Sequence, residues 1–120
     1  MSTSKSFSTE TSKRYARALF EVASENSELD IVENNLISFL NIYDSSSEFA
    51  SFIKNPTQSN TNQLEVVKVL AETLNFSKNL KNFLYLLVKK KRIFFVKKIV
   101  KNFLKLCSKK RGEVKASLIS

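Results

Sequence analysis

Asn82-Phe83-Leu84-Tyr85-Leu86-Leu87-Val88-Lys89-Lys90-Lys91-Arg92 is the stretch whose reading decides the fold. Placed on a helix at roughly 100° per residue, Phe83 to Val88 cover almost the whole circumference, and Leu86 falls beside the polar edge made by Asn82 and Lys89. A helix apolar on nearly every side needs several neighbours. A chain of 120 residues can supply them within one domain, because folding at this size buries about two thirds of the surface the unfolded chain exposes.

Composition narrows the class. One Gly, one Pro and 42% apolar residues argue against a turn-rich β protein and against a disordered chain, leaving an all-α fold as the expectation. With no His and a single cysteine, Cys107, the chain has no imidazole base, no internal disulfide and no His-containing metal site. Cys107 sits in an apolar helical pattern, where a small core residue is expected rather than a nucleophile. No apolar run reaches the ~18 residues that span a bilayer, and the N-terminus has no continuous apolar signal core. The acids Glu21, Glu25, Glu28, Asp30 and Glu33 fall at polar helix positions, where solvated charge, not acid–base work, is the expectation. No catalytic residue, cofactor, small-molecule ligand or metal is expected.

The net charge of +9 is unevenly spread. Residues 1–54 hold 5 basic and 8 acidic side chains, whereas residues 55–120 hold 15 and 3, so the halves stand at −3 and +12. From Lys78 to Arg111 there are 13 Lys or Arg and no acid. Such a block attracts an anionic partner, protein, lipid or nucleic acid, or else forms a solvated face.

Outward from the opening stretch, periodicity lays out six helices. Met1 to Thr11 is Ser/Thr-rich and reads as a mobile N-terminal arm; the absence of Arg argues against a mitochondrial presequence. The first helix is expected from Thr11 or Ser12, either of which can cap it. Its apolar residues Tyr15, Ala16, Ala18, Leu19, Phe20, Val22 and Ala23 fill an arc of roughly 200°, about twice what one core contact uses. Ser27 can cap a second helix reaching Asp44, with Asp30 in its first turn. A short third piece around Phe49, Phe52 and Ile53 stops before Asn55-Pro56, because a residue preceding proline avoids the helical region. Thr57 to Asn62 reads as a loop and capping region. Leu64, Val67, Leu70, Ala71 and Leu74 make the fourth helix, and Ser77 caps the fifth, built on the opening stretch. The sixth starts near Ile93, with Val96, Ile99, Val100, Phe103, Leu104 and Cys107 on one face and Lys97, Lys101 and Lys105 on the other. Gly112 is the expected stop. Beyond it the period-two alternation of residues 113–120 reads as the start of a strand whose partners are absent from this sequence.

Five pieces now line up. Arg14-Tyr15-Ala16-x-Ala18-Leu19-Phe20, Phe52-Ile53-Lys54-Asn55-Pro56, Asn82-Phe83-Leu84-x-Leu86-Leu87 with Arg92 five residues later, Phe103-x-x-Leu106, and Gly112-x-Val114-x-Ala116 resemble, in order and spacing, the delta subunit of rotary F-type ATP synthases. The mitochondrial counterpart of that family is the oligomycin-sensitivity-conferring protein. The resemblance covers nearly all of residues 12–120. It implies an N-terminal six-helix domain over residues 12–111, sitting on the catalytic head and joining it to the peripheral stalk so that the head does not turn with the rotor. The implied role is non-enzymatic, as a monomer within the complex, associated with the cytoplasmic side of a bacterial inner membrane through that complex.

The resemblance also implies a site. In the family, the groove between the first and fifth helices receives the N-terminal helix of an alpha subunit, in agreement with the surplus apolar arc on both helices here. Tyr15, Ala18 and Val22 on the first and Phe83, Leu86 and Lys90 on the fifth lie at or near the polar edges of those arcs and are the expected groove lining. Two features depart from the family pattern. The family continues past Gly-x-Val-x-Ala into a second domain that contacts the stalk's b subunits, so residues 112–120 are expected to lead towards a C-terminal domain, with b contacts only where that domain is present. Lys89-Lys90-Lys91 stands where relatives often carry an acid or Asn, which favours an acidic partner helix. A basic helical protein binding nucleic acid or an anionic membrane is the alternative; the basic run lacks the interleaved aromatics of single-strand binders, and no nucleic acid is expected.

Overall fold

Backbone groups buried without partners are costly, and a chain this poor in Gly and Pro satisfies them within helices. The computed structural model describes the backbone of residues 2–55 and 57–119 and the side chains of residues 9–55 and 57–110. Its elements are α1 (Ser2–Glu25), α2 (Leu29–Ser45), α3 (Ser47–Lys54), α4 (Asn60–Thr73), α5 (Lys78–Lys89), a 3₁₀ turn (Ile93–Phe95) and α6 (Val96–Ile119). The fold is all-α, six helices, with no strand among the described residues.

The core forms where the apolar stripes converge. α6 packs along α1 and α2, α5 lies against α4 and α1, and α3 closes the end of the bundle over the 3₁₀ turn. Phe39, Phe103, Leu19, Leu36, Ile53, Leu80, Leu84, Leu87, Ile93 and Ile99 are among the fully buried side chains. Each such residue stabilises the fold by roughly 1.5–3 kcal/mol relative to exposure. Phe20 meets Phe103 edge to face at 6.0 Å, joining α1 to α6. Phe39, Tyr43 and Phe49 form an aromatic cluster that ties α3 to α2. Cys107 is buried in this core.

Capping fixes where the helices turn. Ser46, Ser59 and Ser77 each accept a hydrogen bond through Oγ from the backbone N–H three residues on, at 3.2, 3.1 and 3.2 Å, and so start α3, α4 and α5. The Ser77 N–H in turn donates to Oδ1 of Asn35 on α2 at 3.0 Å. Between α3 and α4 the buried Gln63 amide donates to the carbonyls of Phe52, Ile53 and Asn55 at 3.3, 3.4 and 3.5 Å. Of these, the Phe52 and Asn55 carbonyls also accept backbone N–H bonds from Asn55 and Gln58, so the Gln63 amide matters most to the buried Ile53 carbonyl at the end of α3.

Four expectations are corrected. α1 begins at Ser2, not at a cap formed by Thr11 or Ser12, because both residues lie on its buried side, 6% and 0% exposed. The expectation of a mobile arm falls largely on residues 1–8, whose side chains lie outside the described residues. Ser27 does not cap α2, since its φ of 56° places it at the left-handed end of α1, where the Glu28 N–H reaches back to the Ala23 carbonyl at 2.7 Å. Asn75 and Lys91 end α4 and α5 in the same way, with φ of 58° and 59°. α6 starts at Val96 after the 3₁₀ turn, and its backbone stays helical through Gly112 to Ile119 instead of turning extended. With no strand to pair against, a helix satisfies the backbone internally, and one interior Gly costs only about 1 kcal/mol against Ala. The alternating side chains of that tail lie outside the described residues.

Candidate partner-binding groove

Burial divides α5 along its length. Leu80, Leu84, Leu87 and Val88 turn fully inward, while Phe83 is half-buried and Leu86 is 41% exposed. Leu86 is thus the most open apolar side chain of α5, with about three fifths of its surface covered by the chain. On α1, Ala16, Leu19 and Ala23 are buried, Tyr15 is half-buried, and Ala18 and Val22 are exposed, Val22 to 39%.

Tyr15 and Phe83 hold the two helices together. Their rings meet edge to face, centroids 6.2 Å apart and planes at 73°. Ala18 and Val22 follow Tyr15 at helical spacing, and Leu86 and Lys90 follow Phe83, so each helix carries its exposed residues on the flank that this ring pair joins. The structure therefore brings Tyr15 and Phe83 into contact and leaves Ala18, Val22, Leu86 and Lys90 exposed. Leu86 also borders a cleft of about 440 Å³ between α5 and α4, lined with Leu64, Lys68, Asn82, Tyr85 and Lys89.

Other exposed apolar side chains escaped the sequence reading. Val66 and Val69 on α4 are 36% and 65% exposed and, with Phe49 and Leu70, line a shallow depression beside Glu65, Glu72 and Lys68. The signal was present: both valines fall outside the arc made by Leu64, Val67, Leu70, Ala71 and Leu74. Phe94, 43% exposed, stacks on Phe95 at 4.2 Å in the turn before α6.

Among the described residues no group of three or more His, Cys, Asp or Glu could hold a metal ion, and no helix is long and apolar enough to cross a membrane.

The comparison that decides the family is a match of residues 11–120 to the model of the ATP synthase delta (OSCP) subunit. The chain belongs to the ATP synthase delta (OSCP) subunit family. It is 41% identical over 120 residues to the ATP synthase subunit delta of Pelagibacter ubique, covering all of this chain and 65% of that one. It is 32% identical over 107 residues to the subunit delta of a Chelativorans species, covering 89% and 58%. Among solved structures, a chain of the mitochondrial ATP synthase hexamer of Toxoplasma gondii superimposes with a TM-score of 0.72 at 34% identity, covering 77% of this chain and 51% of that chain. This delta-family chain thus spans less than two thirds of the length of these relatives.

Proposed function

We propose that this chain is a non-catalytic coupling unit of a rotary F-type ATP synthase, and that its α1/α5 groove receives the N-terminal helix of an alpha subunit. The observation that carries the reading is the open apolar flank of Ala18, Val22 and Leu86 around the Tyr15–Phe83 contact, in a chain of the delta family. A helix laid in a groove buries apolar side chains at three- and four-residue spacing, which is the spacing both walls present. Such a joint would help to link the catalytic head to the peripheral stalk. The work asked of it is mechanical, so affinity and stiffness matter and reactive groups do not.

On this reading residues 12–111 form the groove-bearing unit, and residues 112–120 lead towards a C-terminal domain through which b subunits are contacted. The unit is a monomer within its complex. It is peripheral to the membrane, held on the cytoplasmic side of a bacterial inner membrane by the assembly.

Calorimetric titration with a peptide of the alpha N-terminus tests the proposal. Apolar groove binding should weaken by no more than a few-fold between roughly 50 and 200 mM salt. Phosphate-driven binding through the Lys-rich face would instead weaken by about 10³–10⁵ for six to ten contacts. No binding at either salt concentration would refute the groove reading.

A further inference from the structure

The groove is charged in opposite senses at its two ends. Tyr15 meets Phe83 part-way along, and Glu28, just past the end of α1, accepts a hydrogen bond through Oε1 from Asn79 at the start of α5 at 3.0 Å. Later residues of α1 therefore lie towards earlier residues of α5, and the helices run in opposite senses. Arg14 precedes Tyr15 by one residue, and Lys90 lies seven residues beyond Phe83, so both cations stand on the same side of the ring pair, where the exposed Glu10, one turn before Arg14, offsets part of their charge. Glu25, Glu21 and Glu28 stand at the other.

Spacing brings these charges beside the apolar flank. Arg14, Ala18, Val22 and Glu25 recur at intervals of four, four and three, and Asn79, Phe83, Leu86 and Lys90 at four, three and four, so each wall is one helical stripe. Arg14, Glu21, Glu25 and Lys90 are exposed and Glu28 is half-buried. Lys81 lies on the side of α5 away from Phe83, whereas the exposed Lys78, next to Asn79, offsets part of the charge at that end and leaves the three acids in excess. From Arg14 to Glu25 the stripe runs roughly 16 Å, longer than a Debye length of about 8 Å at physiological salt, so the two ends act on a bound helix separately.

We infer that this groove selects a helix with segregated charge, its acidic end seated at Arg14 and Lys90 and its basic end at Glu21, Glu25 and Glu28. The apolar stripe supplies the affinity, and the end charges supply register and sense, since rim charges act mainly through specificity. The inference rests on the groove reading proposed above and adds the partner's charge pattern to it. A partner uniformly acidic or uniformly basic fits one end and is repelled at the other.

The test uses a synthetic amphipathic helix of about 18 residues with a Leu/Ile stripe, three Glu at its first turn, three Lys at its last and a nitroxide at the Glu end. It is titrated at low salt into the isotopically labelled chain and into a variant carrying Arg14→Glu, Lys90→Glu, Glu21→Lys and Glu25→Lys, all at exposed positions. In the native chain the nitroxide should broaden the amide resonances of Arg14 and Lys90 and spare Asn79 and Glu28. In the variant, affinity should fall about five- to tenfold, the effect of several exposed ion pairs together, or the broadened end should reverse. Circular dichroism and thermal melting establish that the variant keeps the fold; if it does not, the nitroxide pattern in the native chain decides alone. Broadening at Asn79 in the native chain overturns the inference, as does equal affinity and unchanged pose in a folded variant, and both leave the groove reading intact. Absence of binding to either protein removes the groove reading and the inference together.

Discussion

Tyr15 on α1 and Phe83 on α5 meet edge to face at 6.2 Å, joining two helices that each keep an apolar side chain exposed, Val22 on one and Leu86 on the other. An aromatic pair in this geometry contributes about 0.5–1.5 kcal/mol beyond the area it buries. A double-mutant cycle with Tyr15→Ala and Phe83→Ala, read by urea unfolding, should return a coupling energy in that range. A coupling near zero would mean that the rings share space without holding the helices.

Substitutions at the groove's crest should separate binding from folding. Leu86→Asp and Val22→Asp alter exposed positions, so stability should change by no more than about 0.5 kcal/mol in thermal or chemical unfolding. Affinity for the alpha N-terminal peptide should drop at least tenfold, since a carboxylate would enter an apolar contact without a partner. Val69→Asp on α4, more exposed at 65%, serves as the control and should leave that affinity unchanged.

Gln63 should be worth more to the fold than its polarity suggests. Its amide donates to three carbonyls around the end of α3, of which Phe52 and Asn55 keep backbone donors, so Gln63→Leu strands the buried Ile53 carbonyl and should cost about 1–3 kcal/mol in urea unfolding. Hydrogen exchange should rise in α3 and at the start of α4 before it rises in α6. Uniform loosening of all helices would argue against this local role.

Three left-handed helix ends occupied by Ser27, Asn75 and Lys91 offer a gain. A side chain at such a position is held roughly 1–2 kcal/mol above its usual backbone region, less for Asn, whereas Gly meets no such penalty. Ser27→Gly and Lys91→Gly should each stabilise the chain by about 0.5–1 kcal/mol in chemical unfolding, with a smaller gain for Asn75→Gly. Destabilisation by either of the first two would show that the side chain, not the backbone, sets these turns.

Base should unfold the protein in part through Tyr43. Burial raises its phenol above the ordinary value of 10.0, with Lys97 lowering it and Asp44 raising it by lesser amounts. A folded value above the unfolded one means that the stability this group allows is fully present below pH about 10 and is lost as pH rises through the folded value. Tyr43→Phe should therefore flatten the fall of unfolding free energy above pH about 10, measured by urea titration at each pH. An unchanged slope would assign the alkaline transition elsewhere, for example to Tyr85, whose phenol is also raised, by burial and then by Glu72.

Much of this arrangement was legible in the chain because helix spacing is a local property. Leu84, Leu87 and Val88 could be assigned to the core and Leu86 to the edge from residue angles alone, and Ser77 announced the start of α5. The errors have one physical source. Ser27 carries a good capping side chain, but whether it starts α2 or ends α1 depends on how the Glu28 N–H is satisfied, which composition does not encode. Thr11 and Ser12 resemble caps in sequence, yet both lie on the buried side of α1, a fact that exists only once the bundle is assembled. The exposure of Val22 and Leu86 was legible as surplus apolar arc, whereas the Tyr15–Phe83 contact required the relative placement of two helices.

The central claim, that α1 and α5 form a docking groove for the N-terminal helix of an alpha subunit, is tested most directly by titrating the unlabelled alpha peptide into the isotopically labelled chain and following its amide and methyl resonances. The account predicts that the largest shifts fall at Tyr15, Ala18, Val22, Phe83, Leu86 and Lys90, and that Val66, Val69 and the outward lysines of α6 stay still. Shifts concentrated on α4 or α6, or none on α1 and α5 at saturating peptide, would contradict it.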